Sequence, residues 1–150
     1  HILMKKASLK KVADKMKDLD ICMMVTQDGK NVYHSRPMSN NGKVEYDGNS
    51  YFFTYMKSTK VKHITTNPKV SLLFQNDKHL FIECYGTAKL IKDKKVLKDK
   101  WVNGLEMWFP KGIDTPGICL LKVEAKRIHF WDKNCSTVTI LSPLKNSYTK

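Results

Sequence analysis

Residues 33–60 read YHSRPMSNNGKVEYDGNSYFFTYMKSTK. An Arg-Pro pair closes one β-like run, and an aromatic run ending in Thr54 leads to Ser58-Thr59-Lys60. Arg36 offers a planar fork of donors and Lys60 a compact point charge, so neighbouring elements carry complementary anion-holding groups. Ser58 is placed to cap a helix running through Thr66, whose free first-turn N–H groups would face the same anion as the Ser58 and Thr59 hydroxyls. The segment reads as a phosphate clamp.

The flanking sequence supplies a scaffold. Leu9, Val12, Ala13 and Met16 recur at spacings of three and four, which predicts a short helix over Ser8–Asp18 capped by Ser8. Ile21–Thr26 and Asn31–Met38 form a hairpin around Asp28-Gly29. The loop Ser39–Asn49 is turn-rich and expected to be mobile, and Tyr51–Thr54 is the third strand. Asn67-Pro68 stops the clamp helix, and strands over Val70–Gln75 and His79–Ile91 follow. Gly86 marks a bulge or a close backbone approach. Asp93–Met107 is helical by pattern, with Trp101, Leu105 and Trp108 near one face. Gly117–Glu124 and Ile128–Trp131 read as two strands joined by a tight turn at Ala125-Lys126. A short strand at Thr137–Ile140 precedes a frayed tail. Six or seven strands with two or three short helices predict a mainly β, α+β protein built as a small closed or split antiparallel barrel.

The length of 150 residues and an apolar share of 41% suit one domain with its own core. His1-Ile2-Leu3 ahead of Met4 read as a cloning remnant, leaving residues 4–150 as that domain. There is no apolar run near the roughly 18 residues a membrane span needs and no cleavable leader, so a cytoplasmic protein is expected. Cys22, Cys84, Cys119 and Cys135 lie far apart without a C-x-x-C pair, which favours buried free thiols. His34, His63, His79 and His129 have no zinc-ligand spacing. Twenty-seven Lys and Arg against 14 Asp and Glu leave a net charge of +13. Because the lysines are spread from Lys5 to Lys150, that excess argues for attracting phosphorylated ligands rather than for a nucleic-acid face.

The order of strings RPM, FFT, S-T-K, NPKVSLLF, YGTA, WFP and HFWD, spanning about Lys17 to Asp132, resembles the pyridoxamine 5′-phosphate oxidase-like family, and within it the general stress protein 26 branch of FMN-binding split barrels. The resemblance implies FMN as cofactor, with Arg36, Pro37 and Met38 lining the isoalloxazine. It sets Phe53 and Thr54 on the ring and phosphate side, and Ser58, Thr59 and Lys60 at the phosphate. Since Phe52 and Phe53 alternate, one belongs to the core and the other to the ligand. Gln75 matches a position that reaches the flavin from one subunit or the other, and otherwise is a polar strand end. Trp108 and Trp131 match aromatic positions near the dimer interface, where they stack on the ring or anchor the interface. His34 is read as the only histidine beside the clamp, either an acid or a residue that merely shares the Arg36 face.

A homodimer with two flavin sites follows from the resemblance and from an aromatic second half: Trp101, Trp108, Phe109 and Trp131. The arginine-rich C-terminal substrate segment of true pyridoxamine oxidases is not visible after Trp131, which turns the expectation from vitamin B6 oxidation to a generic FMN-dependent oxidoreductase using NADH or NADPH. No catalytic acid, base or nucleophile stands out, because flavin chemistry asks the protein mainly to orient and tune. Two alternatives stay open: a non-catalytic FMN-binding or storage module, and a split barrel that uses haem or a deazaflavin.

Overall fold

Seven strands, all paired antiparallel, form one sheet in a computed structural model that describes residues 2–40, 45–133 and 137–141. Helix α1 (Ile2–Met16) leads into β1 (Ile21–Gln27), β2 (Tyr33–Ser39) and β3 (Asn49–Tyr55). Then come α2 (Thr59–Thr66), β4 (Lys69–Gln75), β5 (Phe81–Ile91) and α3 (Lys94–Lys100). Strands β6 (Ile118–Trp131) and β7 (Thr137–Leu141) follow. The strand order is β2-β1-β4-β5-β6-β3, and β7 also pairs with β6. The sheet curls into a split half-barrel with short helices, the class the sequence predicts.

Period-two alternation sorts the side chains. Met24, Met38, Phe52, Leu72, Phe74, Ile82, Cys84 and Phe130 point inward and form one core, onto which α1 lays Val12 and Met16. Phe52 is 1% exposed and is the core member of the Phe52/Phe53 pair. The other side of β3 carries Phe53, which packs with Trp101 and Phe109 beside Leu97 and Leu120 in a second cluster. Phe109 is thus buried and Trp101 half-buried by their own chain, although the sequence suggested they would need a partner. Cys22, Cys84 and Cys119 are buried free thiols, and Cys135 lies outside the described residues.

Several boundaries differ from expectation for local reasons. Helix α1 continues N-terminal to Ser8, which is therefore not its cap. In the β1–β2 loop the left-handed residue is Asn31 (φ 64°) rather than Gly29, and the Asp28 carboxylate holds the loop by accepting from the N–H groups of Lys30 and Val32. The helix expected over Asp93–Met107 stops at Lys100; after Gly104 (φ 101°) only a 3₁₀ turn at Leu105–Met107 follows. Trp108 leaves the Trp101 face and is 63% exposed. Asn41 and Gly42 of the turn-rich loop lie outside the described residues.

The largest correction concerns β6. Ala125-Lys126 is not a turn: the strand runs unbroken for 14 residues, and Lys126 is the extra residue of a bulge, since Tyr85 pairs with Arg127 while Gly86 pairs with Ala125. On its far edge β6 pairs with β3 along its first half and with β7 along its second. At the bulge the backbones approach so closely that a Cβ on Gly86 would lie 2.1 Å from the Glu124 carbonyl oxygen. Gly86→Ala is therefore expected to cost about 3 kcal/mol or more, because backbone rather than a flexible side chain must yield. Urea unfolding measures it; a cost below about 1 kcal/mol would show that the close approach relaxes freely.

Candidate functional site

Arg36 on β2 and Lys60 on α2 lie close enough for their charges to repel. Arg36 lies on β2 opposite Met24 of β1, so period two puts it on the inward face with His34 and Met38. Its Nη1 donates to the Thr26 hydroxyl at 2.6 Å and to the Met24 carbonyl at 3.3 Å. Lys60, in the first turn of α2, donates from Nζ to the Thr54 hydroxyl of β3 at 3.0 Å. Ser58 occupies the N-cap position, with extended backbone and no side-chain cap bond; its Oγ instead lies 3.5 Å from that of Thr54. The first intrahelical bond runs from Lys62 N–H to the Ser58 carbonyl, which leaves earlier amides of the turn without helical acceptors.

The electrostatics follow from burial and like charge. Desolvation lowers the pKa of Arg36, and that of Lys60 is lowered by desolvation first and by Arg36 second. Among the described residues no carboxylate pairs with either cation. Two half-buried, mutually repelling cations beside the Thr54 and Ser58 hydroxyls and an uncapped helix start can do one thing well: hold an anion with several oxygens.

Two groups of this site escaped the sequence reading. Thr26, 1% exposed, and His63, 7% exposed, are buried together, with Thr26 Oγ1 2.9 Å from His63 Nδ1. Burial, then His34 and Arg36, hold the His63 pKa below its usual value. His34 is not the only histidine here, since its ring centroid lies 4.7 Å from that of His63. Its Nε2 meets Asp28 at 2.9 Å, and that hydrogen bond, with the amides of Val32 and Lys30, draws the Asp28 carboxyl down to about 2. His63 stands three residues after Lys60 on the same side of α2, and Thr26 pairs with His34 across the hairpin. Helical and strand periods carried both hints.

The remaining candidate residues are dispersed. Pro37 is exposed on the outer side of β2, opposite Met23, whereas Met38 is buried in the core. Phe53 lies across β3 from Thr54, against Trp101. Trp108 meets β3 through its carbonyl, which accepts from the Tyr55 hydroxyl at 2.7 Å. Gln75 and Trp131 meet elsewhere, in an open depression of about 700 Å³ on the outer sheet face, lined also by Ile21, Met23, Leu73 and Phe81. The structure thus brings together Arg36, Thr54, Ser58 and Lys60, with Thr59 adjoining in the chain.

This curled antiparallel sheet with short helices defines a split-barrel protein. The family model described as pyridoxamine 5′-phosphate oxidase like matches residues 7–150, and the chain belongs to that family. Similar folds occur in a Clostridium acetobutylicum protein related to general stress protein 26 of B. subtilis, at 22% identity, 93% coverage of both chains and a TM-score of 0.70. The general stress FMN/FAD binding protein of Xanthomonas citri is similar at 22% identity, 93% coverage of this chain, 96% of that one and a TM-score of 0.73. A pyridoxamine 5′-phosphate oxidase-related, FMN binding protein of Nostoc punctiforme is similar at 12% identity, 91% and 94% coverage and a TM-score of 0.64. No curated protein matches the sequence. Among the described residues no helix is long and apolar enough to cross a membrane.

Proposed function

We propose that this chain is an FMN-binding flavoprotein that works as an oxidoreductase, and that two copies form the functional unit. The observation that carries the reading is the pair Arg36 and Lys60: two desolvated cations without a carboxylate partner among the described residues, beside the Thr54 and Ser58 hydroxyls at the start of α2. That donor set fits the terminal phosphate of FMN, and the names of the Xanthomonas and Nostoc proteins, which bind flavins, support the same ligand. Arg36 and Lys60 would neutralise the phosphate, Thr54 and Ser58 would orient it, and the rest of the barrel would keep water from one side of the ligand. Bound flavin supplies two-electron chemistry at its N5, so no dedicated protein acid or base is required.

The outer sheet face supports association with a second copy. Ile21, Met23, Leu73, Phe81 and Trp131 are each 37% exposed or more there and line one depression. An apolar face of this extent on a β-sheet is best covered by another such face, and two-fold pairing of identical surfaces is the commonest closed solution. Gln75 and Trp131 would then stand at the junction of the two copies.

Three measurements check this reading. Charge-assisted contacts are worth about 1.5–3 kcal/mol, so Arg36→Ala or Lys60→Ala should weaken FMN binding roughly ten- to a hundredfold in fluorescence-quenching titrations, and riboflavin, which lacks the phosphate, should respond far less. Unchanged FMN affinity in both variants removes the clamp from the account. In sedimentation equilibrium the wild type should be a dimer and Leu73→Glu a monomer; a monomeric wild type that binds FMN tightly refutes the shared site. On anaerobic mixing, NADH or NADPH should bleach the oxidised flavin band and air restore it. Reduction by dithionite but by neither nicotinamide would leave a binding or storage role.

A further inference from the structure

The hydrogen bond between Arg36 and Thr26 has only one possible sense. A guanidinium has donors and no acceptor, so at 2.6 Å the Thr26 oxygen must accept from Arg36. The single Thr26 proton is then left for its other partner, His63 Nδ1, 2.9 Å away. That proton finds an acceptor there only if Nδ1 offers a lone pair, in which case the proton of the neutral imidazole sits on Nε2. The resulting chain, Arg36 to Thr26 to His63, ties β2 to β1 and β1 to α2, the helix whose first turn carries Lys60.

We propose that His63 is a positioning residue for the anion clamp: by accepting the Thr26 hydroxyl at Nδ1 it turns the Thr26 oxygen toward Arg36 and so aims the guanidinium into the space it shares with Lys60. The inference rests on the clamp holding the FMN phosphate. It assigns a role to a residue that touches no ligand and acts through two intermediates.

The surroundings agree with this geometry. The groups facing His63 are His34 and Arg36 on β2, Lys62 on its own helix and Asp28 in the β1–β2 loop. Burial, His34, Arg36 and Lys62 disfavour the imidazolium, and only Asp28 favours it. Protonation would add another cation beside Arg36 and leave the Thr26 hydroxyl proton without its acceptor. The neutral Nε2–H tautomer is thus the one that gives the Thr26 proton an acceptor at Nδ1 while Arg36 donates to the Thr26 oxygen.

The experiment has two arms. In the first, ¹⁵N NMR of histidine-labelled protein should show His63 at pH 7 as the neutral Nε2–H tautomer, and Thr26→Val should remove the hydrogen-bond signature at Nδ1. A proton on Nδ1 at pH 7 overturns the proposal. In the second, His63→Phe and Thr26→Val should each weaken FMN binding about tenfold while leaving riboflavin binding nearly unchanged. His63→Asn, whose amide oxygen can stand in for Nδ1, should restore most of the FMN affinity. The Thr26→Val/His63→Phe double variant should be no weaker than the worse single variant, because both remove one path. Losses that multiply, or an equal loss for riboflavin, overturn the positioning role. Should His63→Phe fail to fold, the near-isosteric Thr26→Val and the conservative Thr26→Ser, which retains the hydroxyl, decide the same question. If wild-type protein does not bind FMN, the functional reading falls with the inference, and the wild-type titration shows that directly; if wild type binds and the variants are unaffected, only the positioning role falls.

Discussion

The approach of Gly86 to the Glu124 carbonyl is the constraint on which the rest of the barrel depends. It sits where β5 and β6 change register, at the middle of the longest pairing in the sheet. The extra residue Lys126 reverses the alternation of β6: Leu121, Val123 and Ala125 are buried before it, Ile128 and Phe130 after it. Without that reversal one half of β6 would present its apolar side chains to solvent. With it, a single strand serves β3 along its first half and β7 along its second. The position of β3 fixes Thr54, and the clamp inherits its geometry from a glycine on a different strand.

The clamp itself is held against an electrostatic cost. Arg36 and Lys60 lose hydration and repel each other, yet neither receives a carboxylate among the described residues. What holds them is neutral chemistry: the Thr26 hydroxyl and Met24 carbonyl for Arg36, the Thr54 hydroxyl for Lys60. A carboxylate at either place would stabilise the folded chain but quench the site. Hydroxyls satisfy the donors while leaving the net charge for a ligand, and unrelieved charge of this kind is expected where function rather than stability sets the residue choice.

How much could be read from sequence follows from the range of each interaction. The hairpin, the Leu9–Val12–Met16 stripe and the Asn67-Pro68 stop rest on local patterns, and the structure reproduces all three; Lys60 also lies near enough to Arg36 for the two charges to repel. Gly86 was legible because a glycine inside a long β run has few other uses. The bulge at Lys126 imitates a turn, since both interrupt alternation; the discriminating sign was that the alternation resumed in the opposite phase. Glu106 helps to end the helical region by accepting from the Trp101 indole and the Gly104 amide, contacts that propensity does not register. His63 was hidden by distance, because its partner Thr26 lies 37 residues earlier.

Period two also explains why the candidate residues divide. Arg36 and Thr54 belong to inward faces, whereas Pro37, Gln75 and Trp131 belong to the outward one, so adjacent residues such as Arg36 and Pro37 serve opposite sides of the sheet. Within one copy the two groups have no shared surface to offer a ligand. In the proposed dimer the apolar outer face of one copy would close against the other, and residues exposed in isolation would become walls. On the proposed reading the phosphate end of the ligand would depend on groups within one chain, and the ring end on assembly. Such a division would make anion binding separable from flavin binding: the clamp would form in a monomer, whereas a fully enclosed flavin would require two copies.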